Sequence, residues 1–594
     1  MMLALLLSAL LGQIAENITA ICKDVETDAP RIELISDVSQ KGRANESDTF
    51  ELYLCVPVSE TEMAGLVRLQ NADGSFSDID YDDSKRSAWE PKEHAMRIER
   101  LAIRYARTGD PLSLELARKA LRYWGWRKPV CRNWWYNEIG IPRRIGPAAL
   151  LLKDALSGEE IAVAIEVLEK ASISRTGQNR VWEAGSVLIR GLLQDDEALV
   201  RKAADAISSE LKFSEGSEGL QTDWSFHQHG PQLQFGNYGL SFAATQCWWA
   251  RAFKGTELAY SGDKMDILRG FMENGLCPLV WKGYFDQNAC ARQVFLNAQL
   301  SKALVIQRSA RFLDMDGAGC EGARYYPASD FGVYRTDRWY ASIRMQSTRI
   351  CGYETTNDEN KQGYFSSDGA LLVRVSGDEY KDISPLWNWR HVPGTSAWDD
   401  GTKPFSNATS ETFKRGAYNN TEKVGGWTDG DFMVTFMEYR RDGLTARKAW
   451  FFFPDGIVCL GSGITKNGPE KVITSVEQNH LRDGSSVKKR CASNGPVTYL
   501  ILDRNSFSRG PSSKEGDWHE IADFYPEGSI REGRVFDLFI DHGVAPGKAS
   551  YAYLTVPDAE PCEARKIARR IRILENTESR QSVSVDGKVL SVSW

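Results

Sequence analysis

The run 94-HAMRIERLAIRYARTGDPLSLELARKALRYW-124 decides the first half of the fold. Within 94–106 and again within 111–124, apolar residues return at i, i+3, i+4 and i+7 with charges on the other side, which is the period of an amphipathic helix. A Gly- and Pro-bearing connector, Gly109 to Pro111, separates the two runs. The same period continues through GPAALLLKDAL (146–156), EEIAVAIEVLEKA (159–171), VWEAGSVLIRGLL (181–193) and EALVRKAADAISSEL (197–211). A succession of helices and loops, without a convincing strand, is expected from about Ala88 to Met315.

After about Tyr325 the period changes. ALLVRVSG (370–377), KAWFFFPDGIVCLGSGI (448–464), VTYLILD (497–503), RVFDLFIDHG (534–543) and YAYLTVP (551–557) are short β-branched and aromatic runs closed by Gly, Pro, Asp or Asn. At the end, SVSVDGKVLSVSW (582–594) alternates on both sides of Asp586-Gly587, a strong hairpin signal. The expected architecture is multidomain, α then β: a helical array followed by stacked antiparallel sheets.

At 594 residues the chain needs more than one core. Its composition, 42% hydrophobic and 26% charged, is that of a folded globular protein. A net charge of −7 argues against nucleic acid as a partner. Leu3 to Leu11 is apolar, too short for a bilayer but suited to an export signal; a buried N-terminal helix is the alternative. No other run approaches a membrane span, so the expectation is a secreted or periplasmic protein. The 11 cysteines are scattered without CxxC spacing, and no Cys/His cluster has zinc spacing, so no metal site is expected. Glycosylation sequons stand at Asn17, Asn45, Asn407 and Asn419.

Three polar clusters are candidates for chemistry. The densest, 223-DWSFHQHGPQLQFGNYGL-240, holds two of seven histidines, His227 and His229, with Tyr238 nine residues on, in a Gly-rich, loop-like context. It reads either as a functional loop or as a network holding two helices together. In 174-SRTGQNRVW-182 a helix is expected to start near Val181, so Asn179 is either its N-cap or an amide donor for a bound carboxylate, with Arg180 adding charge. In 133-NWWYNEIGIPRRIG-146, Trp134 and Trp135 offer faces on which sugars stack, or a helix–helix contact that would use one of them.

These segments, together with 353-YETTNDEN-360 and 387-WNWRHVPGTSAW-398, resemble polysaccharide lyase family 8, the family of chondroitin AC, hyaluronate and xanthan lyases. The likeness runs in order from about residue 90 to 560. It implies an incomplete α/α toroid followed by antiparallel β-sandwich domains, divided here as a signal peptide over 1–20, a toroid over 21–322, a β-sandwich over 323–560 and a short C-terminal β module over 561–594. It implies cleavage of an acidic, uronate-containing polysaccharide by β-elimination, with no cofactor, by a monomer. Carried over by position, the catalytic residues are Asn179, His229, Tyr238, Arg292 and Glu354. The substrate-binding residues are Trp134, Trp135, Asn133, Arg180 and Asn357. One position departs from the family pattern: where a second Arg would follow the first by four residues, this chain has Leu296. Arg180 or Arg349 is a possible substitute.

Elimination takes the proton from C5 of a uronate and expels the oxygen on C4. The resemblance gives Asn179 the task of neutralising the carboxylate; loss of one such donor costs about 3–4 kcal/mol. Tyr238 is expected to serve as base and then acid, its pKa lowered by nearby positive charge, with His229 assisting. His229 as base with Tyr238 as acid is the alternative. A toroid glycoside hydrolase would need two opposed carboxylic acids, for which Asp223 and Glu354 are available. A non-catalytic glycan binder is the third reading.

Overall fold

The computed structural model describes residues 2–24, 57–86, 89–214, 218–315, 320–404 and 421–594. The sequons at Asn45, Asn407 and Asn419 lie outside the described residues. The chain forms two compact units, one of Met1–Phe213, Leu240–Met272 and Leu304–Asp316, the other of Ser214–Gly239, Glu273–Ala303 and Gly317–Trp594. Neither unit is continuous in sequence.

The first unit is helical. Pro91–Thr108 and Pro111–Arg127 pack as antiparallel neighbours, as do Gly177–Gln194 and Glu197–Ser209. Gly109 closes the first pair in the left-handed region at φ 70°, and Asp110 then caps the next helix by accepting from the backbone N–H of Leu112 and Ser113. Ser157 and Glu160 form a capping box at Gly158–Leu168. The apolar stripe read from the sequence is the buried one: Ile98, Leu101 and Ala102 from one helix and Leu116, Ala117 and Ala120 from its neighbour. The apolar N-terminal run is the start of a helix, Met2–Lys23. Its Ile14 and Ile18 have no solvent exposure. Asn17 donates through Nδ2 to the carbonyls of Ala252 at 2.8 Å and Lys254 at 3.0 Å, so the amide of this sequon is engaged within the unit.

The second unit is an antiparallel β assembly. A four-stranded sheet, Gly322–Tyr326, Phe331–Arg335, Tyr340–Arg344 and Ala370–Arg374, is built of sequential hairpins. An eight-stranded sheet has Leu444–Phe453 and Gly456–Lys466 near its middle, the latter paired with Ala549–Pro557. The continuous apolar run in this hairpin follows from burial on both faces. Trp450 and Phe452 enter one core with Trp339, Tyr439 and Tyr499, while Ala449, Phe451 and Phe453 enter another with Leu554, Ile567 and Val583. That second core is closed by the helix Pro561–Ala568 and a three-stranded sheet ending in the hairpin Arg580–Val585/Lys588–Ser593. Asp586 (φ 50°) and Gly587 (φ 86°) make its turn, as the Asp-Gly pair requires. Within the stretch expected to be strandless, the described residues include four two-residue strands: Gly219–Leu220, Phe226–His227, Val280–Trp281 and Tyr284–Phe285. They are too short to carry a period.

Candidate active site

The segment 223–240 is not the open loop its composition suggests. Gly219–Leu220 and Phe226–His227 pair as a small hairpin, and Phe235–Gly239 forms a π-helical turn leading into the helix Leu240–Ala252. Single π turns are characteristic of functional positions because they push one side chain out of helical register. Tyr238 sits in this turn. Gly236 is required there by contact: a Cβ would fall 2.6 Å from the Ala289 carbonyl oxygen and 2.9 Å from Cys290 Cα.

His229 occupies the left-handed region at φ 59°. Its Nδ1 lies 2.9 Å from Glu354 Oε2, its imidazole meets the Tyr238 ring edge-on with centroids 5.0 Å apart, and its side chain is 21% exposed. Glu354 is fully buried and also accepts from Gln234 Nε2 at 2.8 Å and from Arg292 Nη1. Burial pushes the Glu354 carboxyl up, but Arg292 and His229 outweigh it and hold the group well below the usual carboxylate range. An ionised Glu354 accepts the Nδ1–H of His229, which leaves Nε2 as the imidazole's basic nitrogen. Glu354, carried over by position as a catalytic residue, is 1% exposed, and its carboxylate is taken up by His229, Gln234 and Arg292.

Arg292 holds two carboxylates, Glu354 through Nη1 and Glu359 through Nε at 3.0 Å, and its guanidinium carbon stands 5.9 Å from the Tyr238 ring centroid. Burial opposes its charge, but the two glutamates raise its pKa above the ordinary value. The expected lowering of the Tyr238 pKa does not occur. Burial raises it, Arg292 opposes, and Glu354 and Glu359 add to the rise, so the phenol is protonated at neutral pH. The main reason is burial of the phenol, with the two carboxylates beside Arg292 a smaller addition.

At Leu296, where the family pattern has Arg, the backbone N–H donates to Tyr525 Oη at 2.9 Å, and neighbouring Phe295 packs edge-on against Phe524. Arg349 is not the substitute: it is spent on Asp330 at 2.8 Å and on the carbonyls of Glu422 and Val424. Arg180 is paired with Glu210 at 3.5 Å. Asp223 accepts from Ser225 and from the Ala328 N–H, so it shapes the hairpin and offers no free carboxylate to a hydrolase. His227 is buried on Ser329 Oγ at 2.9 Å. Asn357 is exposed, in a left-handed turn at φ 61°.

In the helical unit, the helix bearing Asn179 starts at Gly177 with Thr176 as N-cap, so Asn179 lies inside the first turn and is not the cap. Its Oδ1 is buried and makes no hydrogen bond among the described residues. Trp134 and Trp135 open a helical segment, not a loop. Trp135 packs inward, edge-on to Tyr136 at 5.5 Å and to Trp182 at 5.6 Å. Trp134 is 38% exposed and carries the Arg175 guanidinium 3.5 Å from its ring centroid, with Arg175 pinned by Glu138 and Glu183. Asn133 accepts from the Trp135 N–H and donates to the Arg86 carbonyl, so its amide orders the segment.

Two family models match in tandem, the N-terminal α-helical domain of polysaccharide lyase family 8 over residues 57–319 and its super-sandwich domain over 321–568. The chain belongs to polysaccharide lyase family 8. A chondroitinase-AC from Pedobacter heparinus is 28% identical, the match covering 86% of this chain and 79% of that protein. A hyaluronate lyase from Thermasporomyces composti is 25% identical over 84% and 75%. A solved chondroitinase AC lyase superposes with a TM-score of 0.84 at 25% identity, covering 98% of this chain and 89% of the other. The expected fold, helical domain then antiparallel sandwich, is that of the family, and the chain is a polysaccharide lyase.

Sequence reasoning missed Gln234 and Glu359. Both lie inside the quoted segments, but nothing in their spacing set them apart from their neighbours.

Proposed function

We propose that this family 8 lyase cleaves a uronate-containing glycosaminoglycan, such as the chondroitin or hyaluronan its relatives are named for, by β-elimination. The observation that carries the reading is the buried Glu354–His229 pair with Tyr238 against it and Arg292 behind. His229 Nε2 takes the proton from C5, the C5–H electron pair forms the C4=C5 double bond, the C4–O4 bond breaks, and O4 takes the phenolic proton of Tyr238. Glu354 fixes the tautomer and steadies the imidazolium that forms, as a buried carboxylate does beside a catalytic histidine. The family resemblance gives Asn179 the uronate carboxylate as a partner for its amide N–H, a hydrogen bond that favours the enolate-like state. A second reading, Tyr238 as base and acid in turn, is favoured by the Arg292 guanidinium, which stands 5.9 Å from the Tyr238 ring centroid and opposes the rise of the phenol's pKa.

The proton steps assigned above use side chains alone and call for no cofactor. Among the described residues no cluster of His, Cys, Asp and Glu could hold a metal ion. None of their helices is long and apolar enough to cross a membrane, and a polymeric substrate supports action outside the cytoplasm.

The test is a panel of hyaluronan, chondroitin, dermatan, heparan, xanthan and alginate read by ultraviolet absorbance, with and without chelator. Absorbance from an unsaturated uronate, unchanged by chelator, is expected on at least one glycosaminoglycan. New reducing ends without absorbance would overturn the reading.

A further inference from the structure

Lys302, in the helix Ala298–Phe312, has no solvent exposure. Its Nζ donates to the Gly236 carbonyl at 2.5 Å and to Gln293 Oε1 at 2.6 Å, and lies 5.2 Å from the Phe295 ring centroid. Burying an ammonium is costly, and an apolar side chain of similar shape would serve packing better. The two acceptors show what the charge accomplishes. Gly236 is in the π turn that carries Tyr238, and Gln293 directly follows Arg292. In a π turn the N–H groups reach back five residues, as Gly239 does to Gln234, so the ordinary helical pairing of carbonyls is broken. The Gly236 carbonyl takes the ammonium, and Gly236 cannot move toward the 285–290 segment because there is no room even for a Cβ. Lys302 also acts electrostatically on Glu359, the carboxylate that grips Arg292 Nε.

We propose that Lys302 is a positioning residue of the elimination: one buried ammonium pins both the turn bearing Tyr238 and the strand of chain bearing Arg292, and so fixes phenol and guanidinium against each other. The inference rests on the lyase reading above. It accounts for a charge that stability alone would not retain.

The experiment uses the full chain with Lys302→Met, Lys302→Arg and Gln293→Leu, each assayed for kcat, KM, the pH profile of kcat and thermal unfolding on the glycan that wild type cleaves. Lys302→Met should lower kcat by about 10²-fold, the effect of a small misplacement in an active site. Its KM should stay within about threefold, since no substrate contact is lost. The alkaline limb of its pH profile should move, because Arg292 no longer sets the phenol. Lys302→Arg should recover part of kcat, and Gln293→Leu should lower it less than Lys302→Met does. A Lys302→Met enzyme with kcat near wild type, or one whose kcat falls only with its folded fraction on an unmoved pH profile, would overturn the proposal. If Lys302→Met fails to fold, unchanged kcat and pH profile in both other variants would overturn it equally. A wild-type chain that raises no absorbance on any uronate glycan removes the lyase reading itself, a result distinct from any of these.

Discussion

At the residue scale, the pairing of one guanidinium with two carboxylates governs the proton steps. Tyr238→Phe should lower kcat by about 10²–10⁴, the span that general acid–base catalysis supplies, while KM moves little. Solvent deuterium separates the two assignments of the base. With His229 as base, Tyr238→Phe should still exchange the C5 proton of bound substrate without eliminating; no exchange would transfer the base role to Tyr238. Asn179→Ala should be similarly severe, by about 10²-fold or more, because the amide donor that the family resemblance assigns to the substrate carboxylate would be lost. His227 provides the control: seated on Ser329, its replacement by Ala should slow turnover far less than His229→Ala. The reverse order in steady-state rates would withdraw the roles given to His229 and Tyr238 together.

At the element scale, neighbouring residues separate by direction. Trp134→Ala should raise KM with little change in unfolding temperature, since that indole is partly exposed and held by Arg175. Trp135→Ala should instead cost about 2–4 kcal/mol of stability, as loss of a packed aromatic does. Equal effects on melting temperature and KM in the two variants would reject this division. The N-terminal helix makes a sharper case. Ile14 and Ile18 are buried, and each buried isoleucine contributes about 1.5–3 kcal/mol. A chain lacking residues 1–20 should therefore unfold several degrees earlier; an unchanged melting temperature would mean that the helix is dispensable, as a cleaved export signal must be.

For the whole molecule, the β assembly carries its own pH dependence. Glu477 is buried between Tyr380 and Tyr499, whose hydroxyls donate to it at 2.9 Å each. Burial pushes its pKa up to about 8 from an ordinary 4.5, with nearby Glu379 adding to the rise. A carboxyl raised on folding favours the native state while protonated. Its contribution is complete below the unfolded value and is lost as pH climbs through the folded one, by at most about 1.4 kcal/mol per pH unit. Denaturant titrations between pH 5 and 8 should show that decline in wild type and a flatter line in Glu477→Gln, which mimics the protonated acid. Parallel lines would assign the decline to other groups.

The change of period between 94–211 and 370–594 placed helices and sheets in order, because amphipathic spacing is a local property of the chain. The Asp586–Gly587 turn was legible for the same reason, since only a few residues accept two successive positive φ angles. Among the candidate site residues, His229, Tyr238, Arg292 and Glu354 were legible as motif positions, and the structure brings these four together. What each does was not legible. The π turn under Tyr238, the commitment of Asp223, Arg180 and Arg349 to structural partners, and the inward turn of Trp135 all depend on residues distant in sequence. The raised pKa of Tyr238 comes first from its burial, and Lys302, 66 residues on from Gly236, donates to a carbonyl of the turn that carries it. Composition and spacing name the chemical groups available. Which are buried, and which charges they face there, is set by long-range packing, and in a low-dielectric interior that decides the chemistry.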